Sequence, residues 1–313
     1  MARSGSTAPW LAGRIFIVAV AACLACCVGT ASAVTGGAPT PGGSPPPPPS
    51  PTGAPANGAS AGALSLVAAK TTPRKSFYYG VHYPRLSYTI ASTQALNDLR
   101  IDVVDVAGES VRTFFRNDVA PDVENRIRWD GTTNSGRPAL NGRYTFRISS
   151  QVGTPATISA ASSDPVSLGF ELYGYAFPVL GAHDFGDSGA RFGAGRSGHT
   201  HQGQDVMAKC GVPMVAARGG RVQLSDYHAA AGNYLVIDGR GTTLDFMYAH
   251  LAEPSPLQVG DEVRTGQPIG LVGDTGNAEG CHLHFEIWAA PGWYEGGSPI
   301  DPLPYLLKWD RYS

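Results

Sequence analysis

Apolar and polar residues alternate with a period of two in the segments that carry most of this chain's information. Tyr144-Thr145-Phe146-Arg147-Ile148 turns three apolar side chains to one face, and Ile127-Arg128-Trp129 repeats the pattern, each reading as a half-buried strand. Asp130-Gly131, Asn134-Ser135-Gly136 and Asn141-Gly142 lie between such runs and supply the left-handed backbone positions that hairpin turns use. The alternation is sharpest in Gly280-Cys281-His282-Leu283-His284-Phe285-Glu286-Ile287-Trp288, where His282, His284 and Glu286 share one face. At the usual strand rise the two imidazoles sit roughly 6.6 Å apart, close enough to serve one metal site, while Cys281 points the other way.

The first part of the chain reads differently. Arg3 and Arg14, the apolar run Ile15 to Val28 and then Ala31-Ser32-Ala33 form the pattern of a signal peptide spanning 1–33. The tetrapeptide Val20-Ala21-Ala22-Cys23 offers a competing reading, a lipid anchor at Cys23. Residues 34–70, with Pro45 to Pro49 at their centre, cannot build a core and read as a disordered Pro/Gly/Ala-rich linker. A β-sandwich is expected over 71–155, a connector over 156–174, a second domain over 175–305 and a C-terminal tail over 306–313. The net charge of −2 and the lack of a long basic run argue against nucleic acid as a partner.

Upstream of the His-x-His strand the chain reads His199-Thr200-His201-Gln202-Gly203-Gln204-Asp205. It supplies another imidazole and a carboxylate, and on composition either His199 or His201 could be the ligand. Two histidines and one aspartate leave a fourth zinc position open, which is the catalytic arrangement; structural zinc sites are closed and rich in cysteine.

The spacing His201-x-x-x-Asp205 followed by His282-x-His284 resembles the lysostaphin/LytM-type zinc metalloendopeptidases. Phe177-Pro178, Phe192-Gly193, Tyr248-Ala249-His250-Leu251 and the run from Val259-Gly260-Asp261 to Gly276 resemble further elements of that family, Gly211 to Ala217 with Gly219 to Val222 resembles its strand pair, and Asn233 to Asp238 is similar to its next strand. The resemblance implies an antiparallel β catalytic domain of the duplicated hybrid-motif type. It implies one Zn2+ held by His201, Asp205 and His284, with His250 and His282 as catalytic imidazoles that do not bind the metal. The family's substrate class would be the peptide cross-links of bacterial peptidoglycan. Some relatives serve instead as non-catalytic wall-binding or amidase-activating modules; here all five positions are filled. Gly239-Arg240 departs from the family, which often has a histidine after that strand. Trp129-Asp130-Gly131 with Gly142-Arg143-Tyr144 resembles the Ig-like domain of flagellar hook-capping proteins, so the whole chain is expected to be mainly β.

Three further expectations concern side chains around the site. Glu286 shares the parity of His284 and is expected to accept a histidine N–H, against the alternative of a solvated acid at a strand end. Asp274, in a Gly-flanked turn, is expected to be a turn carboxylate, and Asp245 a solvated residue near a strand start. Removal of 1–33 would leave Cys210 and Cys281 as an even pair in an oxidising compartment, and one flanks each ligand-bearing segment, so a disulfide is expected. The rival role for Cys281 is that of a metal ligand. The protein is expected to be secreted or wall-associated.

Overall fold

The computed structural model describes residues 64–151 and 168–313. The expected signal peptide, the alternative anchor at Cys23 and residues 34–63 of the linker lie outside the described residues, as do residues 152–167. Among the described residues no helix is long and apolar enough to cross a membrane.

Alternation builds the N-terminal sandwich. In the strand Arg85–Ala91 the side chains of Leu86, Tyr88 and Ile90 are buried and their neighbours are not, and Tyr144, Phe146 and Ile148 are buried in Gly142–Ser150, where alternation holds until Ser149, which is buried as well. Two sheets result. One joins Ser65–Thr72, Arg85–Ala91 and Asn125–Arg128; the other runs in the order Lys75–Phe77, Gly169–Tyr173, Gly142–Ser150, Asn97–Val104, Ser110–Val119. Trp129, fully buried, lies edge-on to Tyr144 and Phe170 at the centre of the core. Two expected boundaries are corrected here. Residues 65–70 are not linker but part of an edge strand with Leu66 in the core, and residues 169–173 are not connector but a strand of the larger sheet. Both segments are too short to reveal their period against flanking Gly- and Ala-rich sequence.

The C-terminal domain is organised by one antiparallel sheet in the order Glu262–Val263, Gly220–His228, Gly232–Gly239, Leu244–Leu251, His282–Ala289, Gln204–Ala208, His183–Asp184. Leu283, Phe285 and Ile287 enter the core on one face with Val206, Phe246 and Tyr248. Slipping the strand His282–Ala289 by one residue would expose those three side chains, at a cost of roughly 5 to 9 kcal/mol, so the face presented by His282, His284 and Glu286 is strongly specified. The expected pairing of the segments 211–217 and 219–222 does not occur. Pro213–Val215 pairs with Pro268–Leu271 in a separate two-stranded sheet, while Gly220–His228 pairs with Gly232–Gly239. The last residues are also not a loose tail: the helix Leu303–Asp310 sets Leu306 and Trp309 into the same core.

Sandwich and sheet are joined by directed contacts. Gly80 and Thr265 form a β-bridge, and the Thr265 hydroxyl donates to the Tyr78 carbonyl at 2.7 Å. Arg218, buried, donates to the carbonyls of Gly174 and Arg240 and stacks on the rings of Tyr78 and Tyr175. Tyr173 of the sandwich stacks on Tyr312 with ring centroids 3.9 Å apart.

Candidate metal centre

The site forms on the sheet face opposite the main core. Asp205 on Gln204–Ala208 is directly across from His284 on His282–Ala289, and antiparallel partners in direct register bring their Cβ atoms to about 5 Å. His201 arrives from the hairpin of Gly195–Arg196 and His199–Thr200, four residues ahead of Asp205. Gly203 makes the close approach: a Cβ there would lie 2.5 Å from the Phe285 carbonyl oxygen and 2.9 Å from Nε2 of His284.

One ligand atom from each of His201, Asp205 and His284 falls within 4.8 Å of the others. His201 Nε2 is 3.0 Å from Asp205 Oδ1, His284 Nδ1 is 3.0 Å from the same oxygen, and the two nitrogens are 2.9 Å apart. The opposite ring nitrogens are already committed as donors, His201 Nδ1 to the Arg191 carbonyl at 2.9 Å and His284 Nε2 to Glu286 at 2.9 Å. Neutral rings so held aim two lone pairs and a carboxylate oxygen at one point, which is stable only around a cation. A proton or a metal ion satisfies it, and this N, N, O donor set suits zinc.

The electrostatics agree. Burial disfavours the Asp205 carboxylate, but hydrogen bonds from His201 and His284 outweigh it and hold the group well below the usual carboxylate range. Burial likewise would lower the His284 pKa; hydrogen bonds to Asp205 and Glu286 reverse this and raise it from 6.5 to about 9. Glu286 is buried, and despite that its pKa is lowered by His284. It accepts from Trp288 Nε1 at 2.6 Å as well, so it is not a solvated strand-end acid.

Two more imidazoles face this cluster. His250 donates Nδ1–H to the Thr275 carbonyl at 2.8 Å, and His282 donates Nδ1–H to the Gly280 carbonyl at 2.9 Å. Carbonyls only accept, so both rings keep Nε2 unprotonated when neutral. The rings lie 4.6 Å apart between centroids, and His282 Nε2 is 3.7 Å from Asp205 Oδ1. Burial lowers the His250 pKa from 6.5 to about 4, and its backbone takes the left-handed φ of 60°, a strained choice for a non-glycine residue. His199 is exposed, its Nδ1 turned to the Ser197 carbonyl, and is not part of the cluster.

Cys210 and Cys281 form a disulfide, so Cys281 is not a ligand. Asp274 is exposed, whereas Asp245 is buried rather than solvated: it accepts the Trp293 backbone N–H at 2.7 Å, and burial raises its pKa. Its strand-start position suggested solvent, but the 291–297 loop folds over it. Sequence reasoning also missed Arg196, whose Nη2 is 3.5 Å from Asp205 Oδ2. It missed Tyr294 as well, which donates to Gln202 at the rim of the site. Arg196 lies on a two-residue strand too short to show a period, and Tyr294 lies in the 291–297 loop.

Residues 199–302 match peptidase family M23, and residues 85–153 match the FlgD Ig-like domain. The peptidoglycan DD-endopeptidase ShyC of Vibrio cholerae is 40% identical over 87 residues, which are 28% of this chain and 20% of that protein. A lipoprotein NlpD/LppB homolog of Pseudomonas aeruginosa is 32% identical over 149 residues, 48% of this chain and 45% of that protein. The catalytic domain of lysostaphin from Staphylococcus simulans is 28% identical with a TM-score of 0.32, covering 43% of this chain and 90% of that domain. The chain thus spans about a fifth of the length of the endopeptidase it matches and less than half of the lipoprotein.

Proposed function

We propose, from the premise that this chain carries an M23 peptidase domain beside a FlgD-type Ig-like domain, that it is an exported, zinc-dependent endopeptidase that hydrolyses peptide cross-links of peptidoglycan. The observation that carries this reading is the pairing of two kinds of imidazole in one site. Two histidines and Asp205 converge on a cation position, and two others keep unprotonated Nε2 atoms beside it. A module that only binds has no use for the second pair.

His201 Nε2, Asp205 Oδ1 and His284 Nδ1 would hold the zinc, which when bound polarises a carbonyl and lowers the pKa of water to about 7. The remaining work falls to the chain. His250, kept neutral well below pH 7 by burial, and His282 present lone pairs that accept a proton from the attacking water. As the C–O bond forms and the C–N bond breaks, the protonated imidazole returns that proton to the leaving amine. One of the two imidazoles, whose rings lie 4.6 Å apart between centroids, serves as this base; the other stabilises the oxyanion with its Nε2 protonated, because a lone pair there would repel the charge. The buried Glu286 carboxylate fixes the His284 ring so that Nδ1 stays turned to the cation.

The test uses His250→Ala and His282→Ala in the full chain. Each is expected to retain stoichiometric zinc by metal analysis and to lose roughly 10²- to 10⁴-fold in release of new amino groups from purified peptidoglycan. His201→Ala should lose the metal. If zinc-depleted protein and both alanine variants solubilise peptidoglycan as well as the parent, catalysis is not the function. Undiminished binding to walls without hydrolysis would then favour the wall-binding alternative.

A further inference from the structure

At the junction of sandwich and peptidase domain lies a cavity of about 320 Å³ lined by Tyr83, Arg112, Phe114, Arg128, Asp130 and Arg264. Five of these residues belong to the sandwich. Arg264 comes from the turn between Glu262–Val263 and Pro268–Leu271, so the cavity exists only where the two domains dock. Arg100, Arg126, Arg143, Arg147, Arg196 and Arg240 each have a carboxylate within 3.7 Å. Arg112, Arg128 and Arg264 have no such partner among the described residues.

The three guanidinium groups are held instead by aromatic rings. Arg112 lies over Phe114 at 5.4 Å, Arg128 over Tyr83 at 5.9 Å, and Arg264 over Tyr83 at 5.3 Å and Tyr79 at 5.2 Å. Arg264 also donates to the Tyr83 hydroxyl and Arg112 to the Thr133 carbonyl. Stacking fixes the plane of a guanidinium while leaving its in-plane N–H edges available, which is how arginine is preorganised for oxyanions. The Arg112 Nε–H is buried without an acceptor, where a buried donor ordinarily has one. Asp130, the one carboxylate lining the cavity, spends Oδ1 on the backbone N–H and hydroxyl of Thr132. Three positive charges less one leave an excess of two.

We propose that this interdomain cavity binds a phosphate group. Its charge excess of two is matched by a phosphate monoester, at about −1.5 to −2, or by two successive phosphodiesters at about −1 each, and not by a single carboxylate; forked arginine donors suit the several acceptor oxygens of either. The cavity is larger than the group itself, leaving room for the polyol or sugar that carries it. The site is independent of the metal centre.

Isothermal titration of the full chain at low ionic strength, with inorganic phosphate, poly(glycerol phosphate) and acetate in parallel, tests the assignment. Phosphate should bind and acetate should not compete. Arg128→Gln is the first variant, because this side chain is exposed and lies over the Tyr83 ring, so its replacement is expected to leave the fold intact. It should weaken phosphate binding about tenfold or more, and Arg128→Gln with Arg264→Gln should weaken it further. Asp130→Asn should tighten it, an effect of opposite sign that general loss of structure cannot produce. An open metal position also attracts oxyanions, so the titration is repeated with His201→Ala, in which binding should persist. Tighter binding per phosphate to the polymer assigns a phosphodiester polymer as ligand, and equal binding assigns a small phosphate. Binding that ignores Arg128→Gln and Asp130→Asn, that disappears in His201→Ala, or that acetate matches would overturn the proposal.

Discussion

A single hydrogen bond decides which nitrogen of His284 faces the cation. Glu286 accepts from Nε2, which leaves Nδ1 beside Asp205 and His201. Glu286→Gln keeps the shape but removes the charge, and the zinc affinity is expected to fall roughly 10- to 100-fold in chelator competition. The same ring sets a pH dependence. In metal-free protein its pKa is raised from 6.5 to about 9, so the folded state binds the proton more tightly than the unfolded chain. The resulting stability is fully present below pH 6.5 and is lost as pH rises through about 9. Denaturant melts of metal-free protein should show that decline; zinc-loaded protein should not, because the metal takes the place of the proton. By the same logic zinc uptake at pH 7 should release about one proton from His284, readable by titration in buffers of different ionisation enthalpy.

Among the elements, the strands Gln204–Ala208 and His282–Ala289 carry the ligands, and the disulfide Cys210–Cys281 ties the end of one to the start of the other across 71 residues. In the chain-entropy account closing such a loop contributes about 4 kcal/mol. Replacing both cysteines by serine is therefore expected to lower the melting temperature clearly while leaving the register intact, since Leu283, Phe285 and Ile287 still select the core face. Thiol titration of unreduced protein should find no free thiol among the described residues. A double serine variant that melts with the parent would show that the sheet, not the bridge, holds these strands.

Across the whole molecule, the sandwich is not a loosely tethered appendage. Arg218, from the peptidase domain, donates three hydrogen bonds to the carbonyls of Gly174 and Arg240 and lies 4.1 Å above the ring of Tyr78. Burial lowers its pKa, but the guanidinium remains charged and leaves no room for an unpaired substitute. Arg218→Ala strands two carbonyls and is expected to cost about 3 kcal/mol or more. Calorimetry should then resolve two transitions where the parent gives one, because this guanidinium couples the sandwich to the peptidase domain.

What the chain's pattern encodes by itself is local. Alternation along Cys281 to Trp288 assigns Leu283, Phe285 and Ile287 to the core and His282, His284 and Glu286 to the other face, because side-chain direction in a strand depends only on parity. The spacing from His201 to Asp205 and the family resemblance singled out the residues that the structure brings within 4.8 Å. The mainly β class and the two kinds of domain were legible for the same reason. Partners were not. That Asp205 is opposite His284, that the Thr275 carbonyl sets the tautomer of His250, and that segment 211–217 pairs with 268–271 rather than with 219–222 are long-range choices. They depend on which strands close upon each other, and period two is identical for every possible partner. The same holds for Leu306 and Trp309 in the last helix and for Asp245 under its loop. Their burial is supplied by distant chain, so only the assembled tertiary structure could decide it.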